Sequence, residues 1–200
     1  MTRPSFFPIL HHPNQHEMKT RILLSVLAIG LIPVVFLTSC SKIKDLTAVN
    51  VTYQIPRTNF LFTPTAFKSG EEILYSAFVH INVDSLLNVY GLSSGNVENP
   101  EFTQFSLTID TPLEANFGWM QSVRAVTASN SGFSPETQIG SAVNNSGTGR
   151  TVTLTVNNSN IPFGNNGFYL RIYATLSGPI PYQWLQMYFN STLTLTLQPI

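Results

Sequence analysis

Few side chains in this sequence could act as a catalytic base. Three of its four histidines, His11, His12 and His16, lie in the first 17 residues, which leaves His80 as the only histidine in the rest of the chain. A serine or cysteine nucleophile needs a base within hydrogen-bond reach. His80 lies in an alternating apolar segment, where a satisfied or half-exposed strand histidine is the simpler interpretation. We therefore predict no catalytic residues, and a hydrolase that uses His80 is a remote alternative.

The acidic residues show no spacing typical of catalysis or metal binding. Beyond residue 40 the closest acidic pairs are Glu71–Glu72 and Glu98–Glu101, and both have the pattern of turns or strand edges. A glycosidase needs two carboxylates that flank the scissile bond, and folding could assemble such a pair as a second route to a hydrolase. The sequence contains no phosphate-binding glycine loop, HExxH motif or EF-hand. We predict no metal site and no cofactor, and we do not expect an enzyme.

Two segments near the carboxyl terminus place aromatic, polar and cationic residues at alternate positions. Residues 168–176 and 181–193 both alternate with a period of two, and residues 177–180 between them have the composition of a hairpin loop. Pairing Leu176 with Pro181 puts both apolar stripes on the same face of this hairpin. The opposite face then presents six residues, namely Tyr169, Arg171, Tyr173, Trp184, Gln186 and Tyr188.

Three interpretations of this predicted ligand-binding face stay open. Aromatic rings beside hydrogen-bonding groups suit a carbohydrate, because sugars have apolar C–H faces and hydroxyl rims. Tyrosine and tryptophan are also common anchors of protein interfaces. Alternatively, the six residues are ordinary cross-strand pairs, each of which stabilises a sheet by about 0.2–1 kcal/mol, or another segment covers them.

Residues 18–40 have the layout of a secretory signal peptide. Two basic residues follow Met18, and the apolar run of residues 22–37 is shorter than the ~20 residues that a membrane-spanning helix needs. The tetrad Leu37-Thr38-Ser39-Cys40 then resembles the lipobox of Gram-negative bacterial lipoproteins. The resemblance implies cleavage before Cys40, a diacylglycerol thioether on that cysteine, and acylation of its amine by a fatty acid such as palmitate. Several acyl chains together anchor a protein stably.

The residues after Cys40 bear on which membrane the lipid-anchored protein would be found in. Ser41 stands where some Gram-negative lipoproteins carry an aspartate that retains them in the inner membrane, so the resemblance implies a lipid anchor in the outer membrane. Some surface-exported lipoproteins carry an acidic cluster here, but this chain has Lys42 and Lys44 with one aspartate. The sequence therefore leaves open whether the domain faces the periplasm or the cell surface.

The signal peptide also suggests how the chain is divided. Residues 1–17 precede a complete signal peptide, so we expect translation to begin at Met18 and the first 17 residues to be a misassigned extension. The signal peptide is then 18–39, a lipidated tether is 40–45, and one domain spans 46–200.

The domain that must position these side chains has a strand pattern from about Leu46 onward. Apolar residues alternate with polar ones most clearly in the segments 49–55, 73–81, 105–109 and 151–156, and this period of two is typical of half-buried strands. With turns rich in glycine, asparagine, serine and proline, the pattern predicts an all-β fold, an antiparallel β-sandwich.

Two short helical insertions are expected in this sandwich. One spans 83–90, with Leu86, Leu87 and Tyr90 inward and a glycine to close it. The other begins with a capping box at 111–114, where threonine is the N-cap and glutamate the third helical residue. Its inward face is expected to consist of Leu113, Phe117 and Met120.

Charge is scarce and balanced. Lysine plus arginine number 10, as do aspartate plus glutamate, and charged residues make up 10% of the chain, against about 25% in ordinary soluble domains. A nucleic-acid partner would require a basic excess, and a single cysteine excludes a disulfide scaffold.

We expect a lipoprotein anchored in the outer membrane through Cys40, with a non-enzymatic structural or adhesin-like role and an envelope protein or glycan as partner. A glycan-binding β-sandwich module is the alternative.

Overall fold

The computed structural model describes residues 48–65, 70–92, 95–144, 147–157, 161–164 and 166–199. Cys40 and the segments predicted as an extension, a signal peptide and a tether lie outside the described residues, so the lipid anchor stays a prediction. Among the described residues, no helix has the length and apolar character needed to cross a membrane.

The described part of the chain contains nine β-strands and one short α-helix. In chain order they are β1 (Val49–Phe62), β2 (Glu71–His80), α1 (Val83–Val89), β3 (Gly95–Thr111), β4 (Met120–Ala128), β5 (Thr137–Val143), β6 (Thr151–Thr153), β7 (Thr155–Val156), β8 (Gly167–Leu176) and β9 (Leu185–Pro199).

These strands form two antiparallel sheets. The four-stranded sheet has the order β1-β9-β3-β6, and the five-stranded sheet has the order β2-β8-β4-β5-β7. The chain passes from one sheet to the other at Leu154, whose N–H donates to the Phe105 carbonyl at 2.9 Å. On either side of Leu154, β6 pairs with β3 and β7 pairs with β5. The domain is therefore an all-β sandwich, as the alternation predicts, with less helix than expected.

The core lies between the two sheets and is built from the predicted apolar stripes. On β9 the odd-numbered residues 185–197 are buried, and on β8 the even-numbered residues 168–174 are buried. Phe102 of β3 meets Phe168 of β8 edge to face across the core, with ring centroids 5.7 Å apart. Burial of each such ring contributes about 1.5–3 kcal/mol.

Strand β2 departs from the predicted alternation at its start. Leu74 is an extra residue between Ile73 and Tyr75 in the pairing with β8, which makes it a β-bulge. A bulge exchanges the two faces of the strand, so Leu74 is buried and Ile73 is 45% exposed. The alternation over 73–81 predicts that the odd-numbered residues from Ile73 onward point inward. This is wrong for Ile73, whereas Val79 is buried as expected.

Helix α1 confirms one of the two expected insertions. The Asn82 side chain accepts a hydrogen bond from the Ser85 N–H at 2.9 Å and caps the helix. Gly91 follows the helix with a φ of 71°, a left-handed conformation that favours glycine. Leu87 is buried as predicted, but Tyr90, predicted to point inward, is exposed at the end of the helix.

The second predicted helix is wrong, because the segment after β3 forms turns. Leu113, expected on the inward face, is 78% exposed, while Phe117 is buried. The Arg150 guanidinium donates to three backbone carbonyls of this region, to Ile109 at 2.9 Å and Asp110 at 2.7 Å at the end of β3 and to Leu113 in the turn. A side chain distant in sequence therefore provides hydrogen bonds to the end of β3 and to the loop that follows it.

Candidate functional site

The predicted six-residue face does not form, because β8 and β9 belong to different sheets. Strand β8 lies between β2 and β4, and β9 lies between β1 and β3. Residues 177–184 are therefore a crossover, held where the Ser177 N–H donates to the Trp119 carbonyl at 2.8 Å. A hairpin and a crossover bury the same two apolar stripes, so the alternation alone could not distinguish them.

Three of the six residues lie on β8, and the other three lie on β9 or immediately before it. Tyr169, Arg171 and Tyr173 stay together on the outer face of the five-stranded sheet, at the odd-numbered positions of β8. Gln186 and Tyr188 lie at outward positions of β9, and Trp184 immediately precedes that strand.

The half on the four-stranded sheet has its tyrosine ring covered. Arg57 of β1 places its guanidinium carbon 3.6 Å from the centroid of the Tyr188 ring. The same guanidinium forms an ion pair with Asp110 of β3 at 3.0 Å, so it bridges over the central strand. Trp184 is 45% exposed, and it is the member of this half whose ring is most accessible.

On the other sheet, β8 forms the middle of a row of outward side chains. Cross-strand pairing places Phe78 opposite Tyr169 and Ser76 opposite Arg171. The Phe78 and Tyr169 rings meet edge to face with centroids 5.1 Å apart, and Phe78 remains 44% exposed. Phe78 could have been found from the sequence, because it is a large apolar residue at an outward position of β2.

The loop between β4 and β5 folds over part of this face. The Asn130 side chain organises the loop by donating to the Ser134 carbonyl at 2.9 Å. Phe133, with a φ of 53°, packs on Val126 and Ala128, two outward residues of β4 that are thereby buried. The loop therefore covers the outer face of the sheet over β4, which is one of the possibilities that the sequence left open.

Arg171 is held in place by three neighbours. Its guanidinium carbon lies 3.8 Å from the centroid of the Phe133 ring. Its Nε donates to Ser76 Oγ at 3.2 Å, and its Nη1 donates to the Tyr173 hydroxyl at 3.0 Å. Within the described residues no carboxylate binds Arg171 directly, and its Nη2 donates to no protein atom. The Tyr173 hydroxyl donates in turn to Glu136 Oε2 at 3.2 Å. We name this surface the aromatic–arginine face, formed by Ser76, Phe78, Phe133, Tyr169, Arg171 and Tyr173.

Arg124, beside this face, is neutralised by two carboxylates. It binds Glu71 through Nε at 2.6 Å and Nη2 at 2.8 Å, and Glu136 through Nη1 at 2.8 Å. Its guanidinium also lies 4.0 Å from the centroid of the Tyr173 ring. Hydrogen bonding from Arg124, with its charge adding to the effect, holds the pKa of Glu71 below its usual range. A general acid needs a raised pKa, so Glu71 is not suited to that role.

The remaining catalytic candidates are divided between the two sheets, with the histidine on one and the two glutamates on the other. His80 is exposed at the end of β2, with its ring centroid 6.4 Å from that of Phe78. Glu98 and Glu101 are exposed residues of β3 in the other sheet. Across the ranges that the structure describes, no group of three or more histidine, cysteine, aspartate or glutamate residues could hold a metal ion.

Comparison with known proteins adds no relative from which a role could be carried over. The chain matches no protein-family model, no curated protein and no solved structure.

Proposed function

We propose that this protein is a non-enzymatic interaction protein of the outer membrane, anchored by lipid at Cys40 and binding its partner through the aromatic–arginine face. The binding part rests on one observation, the exposed Phe78 ring packed against Tyr169 beside the fixed Arg171. Aromatic residues and arginine are enriched at the buried centres of protein interfaces, and tyrosine and arginine are among the residues that contribute most to binding energy. Side chains that are already ordered lose little conformational entropy on binding.

The lipid anchor rests on the lipobox-like tetrad that ends at Cys40. Cells that express the full chain should be labelled with an alkyne analogue of palmitate and then fractionated. We expect label and membrane association for the unaltered chain, and an unlabelled, uncleaved precursor for Cys40→Ala. Cys40→Ser, which keeps a side chain of similar size, should behave like Cys40→Ala. Normal labelling and processing of either variant would overturn the anchor.

The binding role can be tested by co-sedimentation of the full-length protein in detergent with envelope fragments from its native host. Phe78→Ser should weaken the retention about tenfold, which corresponds to ~1.4 kcal/mol. Trp184→Ser is a matched control, because Trp184 is 45% exposed and Phe78 is 44% exposed, and Trp184 lies in the crossover before β9, away from β2. Equal retention of Phe78→Ser and the unaltered protein would contradict the proposed face.

A glycan-binding module is the second candidate. It is favoured by the exposed Phe78 ring lying on the same face as hydrogen-bonding groups of Ser76, Arg171 and Tyr173. The larger six-residue surface no longer supports it, since β8 and β9 are in different sheets. The glycan-binding hypothesis now rests on the aromatic–arginine face of the five-stranded sheet alone.

A further inference from the structure

We propose that Arg171 is an anion-binding subsite of the aromatic–arginine face and that the ligand is a glycan bearing carboxylate groups, such as a uronic or sialic acid polymer. This inference rests on the proposed binding role of that face. It adds the chemical class of the ligand and the residue that selects it.

The orientation of Arg171 is the first argument. Stacking on Phe133 fixes the plane of the guanidinium at 3.8 Å from the ring centroid, and bonds from Nε to Ser76 and from Nη1 to Tyr173 fix its rotation. Nη2 and the second hydrogen of Nη1 then remain available as donors. A guanidinium presents its donors in a planar fork that matches a carboxylate, so a preorganised Arg171 can bind one without rearranging.

The charge balance is the second argument. Within the described residues, Arg57 is paired with Asp110 and Arg124 with two glutamates. The Arg150 guanidinium donates hydrogen bonds to three backbone carbonyls. Arg171 alone among the described arginines binds neither a carboxylate nor a backbone carbonyl, since its two bonds go to neutral hydroxyl groups. The nearest acidic group, Glu136, is linked to Arg171 only through the Tyr173 hydroxyl, which donates to Glu136 Oε2 at 3.2 Å, and Glu136 is ion-paired with Arg124. The free donors of Arg171 therefore favour an anionic ligand.

The arrangement of the sheet favours a glycan over an acidic peptide. Phe78 and Tyr169 form a pair two residues along the strands from Ser76 and Arg171, a distance of about 7 Å. That is close to the size of one sugar ring, so a pyranose on the aromatic pair can direct a carboxylate toward Arg171. A peptide that adds a strand would instead pair with the edge strand β2, in the plane of the sheet, and not with the outer face that carries Arg171.

The test measures binding of the full-length protein in detergent to immobilised polygalacturonate, alginate, hyaluronan and polysialic acid. We expect the unaltered protein to bind at least one of them and not its carboxyl-reduced form. Arg171→Gln should weaken binding about tenfold or more, and Arg171→Lys should restore only part of it. Arg57→Gln is the matched control, because Arg57 also stacks on an aromatic ring but on the other sheet, and it should bind normally.

Three results would overturn this inference, namely no binding to any of the four polymers, equal binding by Arg171→Gln, or equally tight binding of polyglutamate. Thermal melting of each variant shows whether a loss reflects unfolding. Different outcomes would overturn the proposed function. If envelope retention depends on Phe78 but not on Arg171, the binding face stands and the acidic glycan is excluded, whereas independence from both residues removes the face itself.

Discussion

The guanidinium of Arg171 on β8 lies 3.8 Å from the centroid of Phe133 in the β4–β5 loop. A loop residue thus determines how the cation of a central strand is presented. The same ring buries Val126 and Ala128 on the outer face of the sheet, so stability and the orientation of the candidate site depend on one side chain.

Phe133→Ala should therefore destabilise the domain by about 2–3 kcal/mol, the usual contribution of a buried phenylalanine that is not at the centre of a core. Urea unfolding of the full-length protein measures this change. Phe78→Ala, which truncates an exposed ring on the same face, should lower the free energy of unfolding by no more than about 1 kcal/mol. Equal losses for the two variants would show that Phe133 does not cover the sheet.

Gly167 is required where β8 begins beside β2. Its φ is 140°, and a Cβ atom at this position would lie 1.9 Å from the Val79 carbonyl oxygen. Gly167→Ala should lower the free energy of unfolding by at least about 2 kcal/mol, because the β2–β8 ladder must separate locally. Gly178→Ala is the control, since a Cβ there meets nothing within 4 Å, and it should leave the melting temperature nearly unchanged.

Arg150 should matter more for stability than any exposed arginine. Arg150→Gln leaves the carbonyls of Ile109, Asp110 and Leu113 without their shared donor, and we expect a loss of about 2–3 kcal/mol. Arg57→Gln breaks an exposed ion pair with Asp110, and such pairs contribute about 0–1 kcal/mol. Chemical denaturation of both variants checks the order, and a larger loss for Arg57→Gln would contradict it.

The Arg124–Glu71 pair predicts how stability changes in acid. Because Arg124 lowers the pKa of Glu71 below 4.5, the folded state favours the ionised carboxylate. Its stabilising effect is complete above the unfolded-state pKa and is lost as the pH falls through the folded-state pKa. The unaltered protein should therefore melt above Glu71→Gln at neutral pH, and this difference should shrink below pH 4.5. A difference independent of pH, or the same behaviour in Glu72→Gln, would contradict the assignment.

Local patterns were sufficient to predict the layers of this fold but not the partners of each strand. The period of two correctly identified the buried residues of β8 and β9, because side chains of a strand alternate between core and solvent. It could not reveal the Leu74 bulge, since a bulge exchanges the two faces of a strand at a position that depends on the pairing with the neighbouring strand. Nor could it show that Arg150 would bind the carbonyl groups at the end of β3, because those contacts join residues about 40 positions apart in the sequence.

The candidate site was half predictable for the same reason. Tyr169, Arg171 and Tyr173 share a face because they alternate along one strand, which is a local property. Their association with Phe78 and Phe133 depends on the pairing of β8 with β2 and on the path of the β4–β5 loop. Both are tertiary features with no short-range signal in the sequence.

Photo-cross-linking in living cells tests most directly whether the five-stranded sheet carries the binding surface. The photoreactive amino acid p-benzoylphenylalanine is placed at position 78 of the full chain, and in a separate variant at position 184. The two sites have nearly equal exposure, but position 78 is on β2 and position 184 is in the crossover before β9. We predict a cross-linked product from position 78, a discrete band for a protein partner or a broad smear for a polysaccharide, and little or none from position 184. Cross-linking from position 184 alone, or from neither position, would contradict a partner at the aromatic–arginine face.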